Sequence, residues 1–201
     1  MFTQAEPVEI IATAKLIFWE NDMRQGPADR LTEDDRRRFE ELFLPHLDAA
    51  YNLARWIVRH DQDARDVVQN AYVRAFKGFQ RFSGGDKSRA WFLTIVRNAA
   101  YDWIKKHGPE EKFIPYDEEK HGDIISIKKF NDEFASEERR QQLKHALERL
   151  PLELREVIIL FELECLTYKE LAVALEIPIG TVMSRLSRAR RRLRKDEEYG
   201  T

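Results

Sequence analysis

Residues 167–195, TYKELAVALEIPIGTVMSRLSRARRRLRK, decide the fold of the C-terminal part of the chain. Their pattern predicts two helices joined by a tight turn. Thr167 and Glu170 stand three residues apart, the spacing of a capping box, in which each side chain bonds to the backbone amide of the other residue. Apolar residues from Leu171 onward give the first helix its inner side, and Pro178 marks the turn.

The second predicted helix has one apolar stripe and a strongly basic opposite side. Its apolar positions recur at helical spacing, which places them in one narrow stripe at about 100° per residue. These positions are Val182, Leu186, Ala189 and Leu193. Residues 181–195 contain seven Arg or Lys and no acidic residue. The polar side and its flanks carry Thr181, Ser184, Arg185, Arg188, Arg191 and Arg192.

This arrangement predicts a helix-turn-helix whose second helix enters the major groove of DNA. The N-terminal turns of such a helix meet base edges, while later arginines meet phosphates. The alternative is a basic helix that is merely solvated. The capping box, the short turn and the apolar stripe together favour DNA binding.

Residues 151–195, PLELREVIILFELECLTYKELAVALEIPIGTVMSRLSRARRRLRK, resemble the fourth conserved region of bacterial RNA polymerase sigma factors. The likeness is greatest to the compact extracytoplasmic-function group, whose signature GTV-SR--RAR is present from Gly180 to Arg190. It implies binding of the minus-thirty-five promoter element as a duplex. Two residues depart from the family pattern: Glu176 stands at a turn position that is usually glycine, and Met183 stands where lysine is often found. Both departures bear on promoter affinity or sequence preference, not on the fold.

Residues 31–107 predict a second helical domain. Thr32 is the predicted N-cap of its first helix and Asp61 that of a later one. A last helix runs from about Ser88 to Lys106, and its inward stripe is Phe92, Ile95, Val96, Ala99 and Trp103. No alternating strand pattern is present. The predicted fold class is therefore all-α, with two small helical domains joined by a linker and a helix-turn-helix in the C-terminal one.

Two stretches of this domain resemble the second conserved region of sigma factors, which binds core polymerase and opens the minus-ten promoter element. They are DARDVVQNAYVRAFKGFQRF, residues 63–82, and RAWFLTIVRNAAYDWIKK, residues 89–106. The likeness covers about residues 36–107. By this resemblance, the clamp helices of the large polymerase subunit would meet Asp66, Gln69, Asn70 and Arg74. Asn70 departs from the family, in which an acid is common there. An ordinary solvated face is the alternative.

Residues 81–106 combine cations with aromatic side chains, the composition that holds single-stranded DNA. Six Arg or Lys stand there against two Asp. We expect the minus-ten strand to contact the loop before the last helix and the side of that helix away from the core. These residues are Lys87, Ser88, Arg89, Trp91, Thr94, Asn98, Tyr101 and Lys105. Trp91 fits the core as well as it fits a stacking platform, and Arg97 and Asp102 equally suit a structural pair.

The domain organisation follows from composition and resemblance. Residues 1–30 form an N-terminal extension, 31–107 a sigma region 2-like domain, 108–135 a linker with prolines and glycines, and 136–195 a sigma region 4-like domain. Residues 153–176 carry six acidic and two basic residues. We expect these acids to form a rear surface that avoids DNA and faces the polymerase.

Composition limits the remaining function classes. The chain has 201 residues, a net charge of −2 and one cysteine, Cys165, which fits a reducing cytosol. No apolar run approaches about 18 residues, so we predict a cytoplasmic protein without membrane insertion. The sequence contains no metal set, nucleophile–base pair or phosphate loop. We therefore predict no enzyme activity, no cofactor, no metal and no small-molecule substrate.

The sequence thus predicts a sigma factor that directs core RNA polymerase to specific promoter DNA and helps to melt it. The resemblance implies an anti-sigma factor as a further partner. The alternative is a sigma mimic, which binds an anti-sigma factor without initiating transcription. The arginines at 185, 188, 190–192 and 194 favour a true sigma factor. An ordinary helix-turn-helix repressor would leave residues 61–106 unexplained.

Overall fold

The computed structural model describes residues 32–107, apart from 83, 85 and 86, and residues 137–198; in the second range it describes the side chains of 141–194. The chain divides into two compact units, with the boundary between Gly108 and Pro109. Every regular element of the described residues is helical, which confirms the predicted all-α class. The predicted N-terminal extension and linker lie outside the described residues.

The N-terminal unit contains four helices within its described residues. Helix α1 spans Glu33–Phe43, α2 Leu47–Val58, α3 Asp61–Gly78 and α4 Ser88–His107. Short 3-10 turns, Leu44–His46 and Phe79–Arg81, follow α1 and α3.

Thr32 caps α1, as predicted. Its Oγ1 accepts a hydrogen bond from the backbone N–H of Asp35 at 3.1 Å, and the Asp35 carboxylate accepts one from the Thr32 N–H at 3.2 Å. This capping box satisfies amide donors that have no partner inside the helix. The first turn is acidic, which suits the positive end of the helix dipole.

The prediction that Asp61 caps α3 is wrong. The N-cap is His60, whose side chain makes no capping hydrogen bond. The Asp61 carboxylate instead accepts hydrogen bonds from Arg55 Nε and, at 3.2 Å, from the hydroxyl of Tyr51, and so ties α2 to the start of α3. Burial alone would raise the pKa of Asp61, but the hydrogen bond and the charge of Arg55 outweigh it and hold the pKa below its ordinary value.

An aromatic cluster forms part of the N-terminal core. The ring of Phe39 lies 4.8 to 5.3 Å from the rings of Phe43, Tyr72, Phe76 and Phe79. Three of these four pairs are edge-on, the geometry that the quadrupoles of aromatic rings favour. The cluster joins α1, α3 and the 3-10 turn that follows α3.

Helix α4 turns a wider side to the core than the sequence predicted. Ile95 and Trp103 are only half-buried, whereas Leu93 and Ala100, which lie outside the predicted stripe, are buried. The other predicted inward residues of α4 are buried. Because α4 packs against both α2 and α3, it buries a broader arc than a helix with one neighbour.

The described residues of the C-terminal unit form four further helices. Helix α5 spans Glu137–Arg149 and α6 Leu152–Ile158, and one π-helical turn, Ile159–Leu163, continues α6. Helix α7 spans Tyr168–Ala174 and α8 Ile179–Glu198. Helices α5, α6 and α7 all pack against α8.

Arg155, in α6, closes the C-terminal end of α5. Its Nε donates to the carbonyl of Leu147 at 3.0 Å, and its Nη2 donates to the carbonyls of Glu148 and Leu150 at 2.8 and 2.7 Å. Carbonyls at a helix end have no partner within the helix, and a cation suits the negative end of the helix dipole. The buried guanidinium therefore fixes α5 to α6.

Candidate nucleic-acid interface

The helix-turn-helix begins with the predicted capping box. Thr167 Oγ1 accepts a hydrogen bond from the Glu170 N–H at 3.3 Å, and Glu170 Oε2 accepts one from the Thr167 N–H at 2.8 Å. The box defines where α7 starts. It confirms the prediction made from the spacing of these two residues.

The turn between α7 and α8 contains a left-handed residue, Glu176, with φ of 55°. The Glu176 N–H donates to the Val173 carbonyl and the Ile177 N–H donates to the Ala172 carbonyl, both at 3.1 Å. These two bonds form a Schellman motif, in which glycine is the usual left-handed residue. The departure at Glu176 therefore falls at a position where a side chain strains the backbone.

Helix α8 buries the predicted apolar stripe. Its four members are at most 7% exposed: Val182, Leu186, Ala189 and Leu193. The opposite, polar side is left away from the core. This confirms the prediction of which side of α8 faces inward.

The predicted minus-thirty-five residues occupy the polar side and the flanks of α8. Arg192 is exposed, and the other five are half-buried: Thr181, Ser184, Arg185, Arg188 and Arg191. The Ser184 hydroxyl donates to the Thr181 carbonyl at 3.0 Å. Because its hydroxyl proton is used in that bond, the Ser184 oxygen can accept a hydrogen bond from a partner but cannot donate one.

Two arginines of α8 are held by acids from α6 and the π-helical turn. Arg185 Nη1 lies 3.5 Å from Oε1 of Glu156, whose side chain is fully buried. Arg190 Nη2 lies 2.8 Å from Oε1 of Glu162, and both of these side chains are at least nine-tenths buried. The Arg190 guanidinium also lies 5.1 Å from the ring centre of Phe161. These acids fix the orientation of the basic helix from behind.

The structure contradicts two sequence-based expectations. Arg190 does not belong to the outward basic surface, because it is buried in its ion pair. The acids of residues 153–176 do not form one rear surface, since Glu156, Glu162 and Glu164 are buried. An ionised carboxylate is costly to bury unless it is paired, which explains why arginines of α8 meet two of them.

The predicted minus-ten residues divide between a strip of α4 and the short stretch 87–89 at the start of that helix. At about 100° per residue, five of them fall within about 80° of one another: Trp91, Thr94, Asn98, Tyr101 and Lys105. Asn98 and Lys105 are exposed, and the other three are half-buried. The Thr94 hydroxyl donates to the Ala90 carbonyl at 2.9 Å.

The strip does not include the three other predicted minus-ten residues, Lys87, Ser88 and Arg89. Lys87 is exposed in the turn before α4, and Ser88 and Arg89 are half-buried in its first turn. Arg89 lies about 160° around the helix from Trp91, on the side that carries buried Leu93. The structure therefore unites five of the eight predicted residues.

Trp91 covers the aromatic core while keeping part of its surface exposed. Its ring centre lies 4.7 Å from that of Phe82 and 5.4 Å from that of Phe43. One role that the sequence left open, a core residue, is therefore present. The second role, a stacking platform for a base, stays a prediction for the remaining half-exposed surface.

Asp102 pairs with Arg74, whereas the sequence suggested Arg97 as its partner. Arg74 Nη1, on α3, donates to Asp102 Oδ2 at 2.8 Å. The Arg97 guanidinium instead lies 4.5 Å from the ring centre of Tyr101, a cation–π contact. The exposed Arg74–Asp102 pair thus links the predicted polymerase face of α3 to the predicted promoter face of α4.

The predicted polymerase residues share one side of α3. Asp66, Asn70 and Arg74 are exposed, and Gln69 is half-buried. They lie within an arc of about 140°, and the buried residues opposite it are Ala64, Val68, Ala71 and Ala75. Half-buried Val73 also lies within this arc, so the side of α3 is mainly but not wholly polar.

Sequence reasoning missed the residues that hold the helix-turn-helix in place: Arg155, Glu156, Glu162 and Arg190. A signal for them was available. Arg155 and Glu156 stand in the apolar run LELREVIILF, and a charge inside such a run implies a buried partner. The identity of each partner depends on tertiary packing.

Comparisons with known proteins agree with both units. Residues 42–110 match the family described as Sigma-70 region 2, and residues 140–193 match Sigma-70, region 4. The ECF RNA polymerase sigma-E factor of Escherichia coli K12 is 30% identical over 170 residues, which cover 81% of this chain and 87% of that protein. The ECF RNA polymerase sigma factor SigE of Mycolicibacterium smegmatis is 30% identical over 159 residues, 78% of this chain and 60% of that protein.

Two solved structures have a similar fold. The sigma factor RpoE from Bartonella quintana, crystallised with the anti-sigma factor NepR, gives a TM-score of 0.62 at 29% identity, over 81% of this chain and 98% of that one. CnrH, solved in complex with the cytosolic domain of CnrY, gives 0.59 at 23% identity, over 83% and 91%. The second likeness concerns the fold alone.

The two matched regions, in this order, define a transcription-initiation protein of the sigma-70 class. Within that class, the chain belongs to the extracytoplasmic-function sigma factors. Proteins of this family act with core RNA polymerase and promoter DNA, and these are the partners of the chain. Among the described residues, no helix has the length and apolar character needed to cross a membrane.

Proposed function

We propose that the chain directs core polymerase to specific promoters and melts them, acts in the cytoplasm, and is restrained by an anti-sigma factor. Residues 136–195 bind the minus-thirty-five element, and residues 31–107 bind polymerase and the minus-ten element. Residues 108–135 connect the two. One observation carries the proposal: α8 buries its apolar stripe and is held from behind by buried acids, which leaves a basic polar side for DNA.

The C-terminal unit recognises its element as a duplex. The early turns of α8 bring Thr181 and Ser184 to base edges, and Arg188, Arg191 and Arg192 contact phosphates. Glu156 holds the Arg185 guanidinium, so the orientation of Arg185 is fixed before α8 enters the major groove. The sequence-independent part of the affinity comes from the arginines, so it falls as salt rises.

The N-terminal unit holds one strand after the duplex opens. The α4 strip offers the aromatic surfaces of Trp91 and Tyr101, the amide of Asn98 and the cation of Lys105. Stacking contributes about 1–3 kcal/mol per base, which offsets a cost of a few kcal/mol for each base that leaves the stack. Melting therefore requires binding energy alone and no catalytic step.

Control by an anti-sigma factor is supported by the structural relative. The Bartonella RpoE was crystallised with the anti-sigma factor NepR, and it shares the fold over most of both chains. We propose that a protein of this kind binds the present chain and keeps it from core polymerase.

Permanganate footprinting tests the proposed function, because permanganate oxidises unpaired thymines. Bacterial promoter fragments are incubated with core polymerase alone, with the chain alone and with both together. We expect reactive thymines near the minus-ten position only when both are present. Reactivity that is the same with core polymerase alone contradicts the proposal.

The same assay separates the competing classes of protein. A sigma mimic produces no thymine reactivity with core polymerase on any fragment, although it still binds an anti-sigma factor. A repressor protects an upstream duplex without polymerase and opens nothing. Only a sigma factor requires the polymerase for both protection and opening.

A further inference from the structure

Exposed apolar side chains are concentrated in the helix-turn-helix. Among the described residues, the large hydrophobic side chains that are exposed are Tyr168, Val173, Ile179 and Met183. Met183 is the most exposed of them, at 53%. Ile179 and Met183 stand one turn apart at the start of α8. The first two turns of α8, which carry Thr181 and Ser184, therefore also carry an exposed apolar side chain.

Ile179 lies one turn before Met183, but three other residues beside Met183 on the outer side of α8 are small. At about 100° per residue, Gly180, Ser184 and Ser187 all lie within about 100° of it. A Cβ at Gly180 would meet nothing within 4 Å, so packing inside the molecule does not require a glycine there. These three small residues leave the long side chain of Met183 exposed. Met183 reaches farther outward than these three neighbours.

The chemistry of Met183 restricts what it can recognise. Its thioether donates no hydrogen bond and is only a weak acceptor, while its three rotatable bonds let it fit an irregular apolar surface. In the major groove of unmodified DNA, the apolar feature of a base pair is the C5-methyl group of thymine. A methionine at this place therefore suits a methyl group and not a phosphate.

We propose that Met183 is a specificity-determining residue, which selects a thymine in the minus-thirty-five element by contact with its C5-methyl group. The inference rests on the proposed function, since it requires α8 to lie in the major groove. The contact would give the early and late parts of α8 different roles. Met183 reads an apolar group in the second turn, while the later arginines hold the DNA backbone.

The test uses the full chain assembled with core polymerase. The holoenzyme first selects duplexes from a pool that is randomised upstream of a fixed minus-ten segment. In the selected duplex, each upstream thymine is then replaced in turn by deoxyuridine, which lacks only the C5-methyl group. Binding is measured for wild type, Met183→Ala and Met183→Leu. Val173→Ala is the matched control, because Val173 is an exposed apolar residue on α7.

We expect deoxyuridine to weaken wild-type binding about fourfold at one thymine or two adjacent ones, the effect of removing one buried methyl group. Met183→Ala removes this difference at that position alone, while Met183→Leu and Val173→Ala retain it. Three results overturn the inference: a selected element without thymine, an unchanged deoxyuridine profile in Met183→Ala, or an equal weakening on every duplex. The second is also the result if Met183 serves only a protein partner.

Failure of the proposed function gives a different result. If the holoenzyme selects no upstream sequence, that result contradicts both the placement of α8 in the major groove and the thymine contact. A holoenzyme that selects an element but shows no Met183-dependent methyl effect removes the thymine contact alone.

Discussion

Glu162 accepts two hydrogen bonds from Arg190 through one oxygen atom, Oε1, at 3.2 Å from Nε and 2.8 Å from Nη2. Both side chains are buried, with 3% and 7% of their surface exposed. The pair joins the π-helical turn after α6 to the middle of α8. One arginine of the basic helix thus fixes the position of that helix.

Breaking this pair is predicted to destabilise the C-terminal unit. Arg190→Met leaves the Glu162 carboxylate buried without its cation, so we expect the free energy of unfolding to fall by about 3–5 kcal/mol. Urea unfolding followed by circular dichroism measures it. The exposed Arg192→Met is the control and changes stability by less than about 0.5 kcal/mol. The double variant Glu162→Leu/Arg190→Met recovers most of the stability, because no unpaired charge remains. A decrease below about 1 kcal/mol in Arg190→Met contradicts the structural role.

The salt dependence of DNA binding is predicted to fall when either of two arginines of α8 is removed, and the stability of the variants is predicted to separate the two. Arg188→Ala and Arg185→Ala each lower the slope of log affinity against log salt by about one for every phosphate that the arginine neutralises. Arg185→Ala also destabilises the unit, since it leaves buried Glu156 without its cation. Fluorescence anisotropy with holoenzyme from about 50 to 200 mM salt, the range where such slopes are large, checks this. Unchanged slopes in both variants would count against the groove assignment.

The Arg74–Asp102 pair offers a direct test of the polymerase face. We expect Arg74→Ala to weaken binding to core polymerase severalfold, because it removes a predicted contact. Asp102→Ala removes only the partner of Arg74 on α4, so it leaves polymerase binding unchanged. The pair is exposed and contributes at most about 1 kcal/mol to stability, so neither variant unfolds the protein. Equal weakening in both variants contradicts a polymerase contact by Arg74.

Replacing the left-handed turn residue, Glu176, by glycine is predicted to stabilise the C-terminal unit. Glu176→Gly relieves the strain of a side chain at φ of 55° and raises the free energy of unfolding by about 1 kcal/mol. Lys144→Gly, in the middle of α5, is the control and lowers it by about 1 kcal/mol. Thermal unfolding of both variants measures the difference. A destabilised Glu176→Gly means that the Glu176 side chain makes a contact worth more than the strain.

Local patterns of the sequence were sufficient for several features. The N-cap at Thr32 and the capping box at Thr167 were readable because the groups involved lie within one helical turn. The apolar stripe of α8 was readable because burial on a helix with a clear polar side follows the helical period. The all-helical class followed from the same periodicity in the two predicted domains and from the absence of an alternating strand pattern.

Features that depend on packing between helices were not readable. Asp61 resembles a cap in sequence, but Arg55 and Tyr51 of the preceding helix take its carboxylate. Arg190 looks like another basic residue of α8, and only the position of Glu162 shows that it is buried. The wide buried arc of α4 likewise required both of its neighbours to be in place.

Start-site mapping tests the central claim most directly. Purified core polymerase transcribes a library of bacterial DNA fragments with and without the full chain, and the 5′ ends of the transcripts are sequenced. The account predicts a set of defined start sites that appear only with the chain and share upstream and minus-ten sequences. Transcripts whose 5′ ends do not change when the chain is added contradict it.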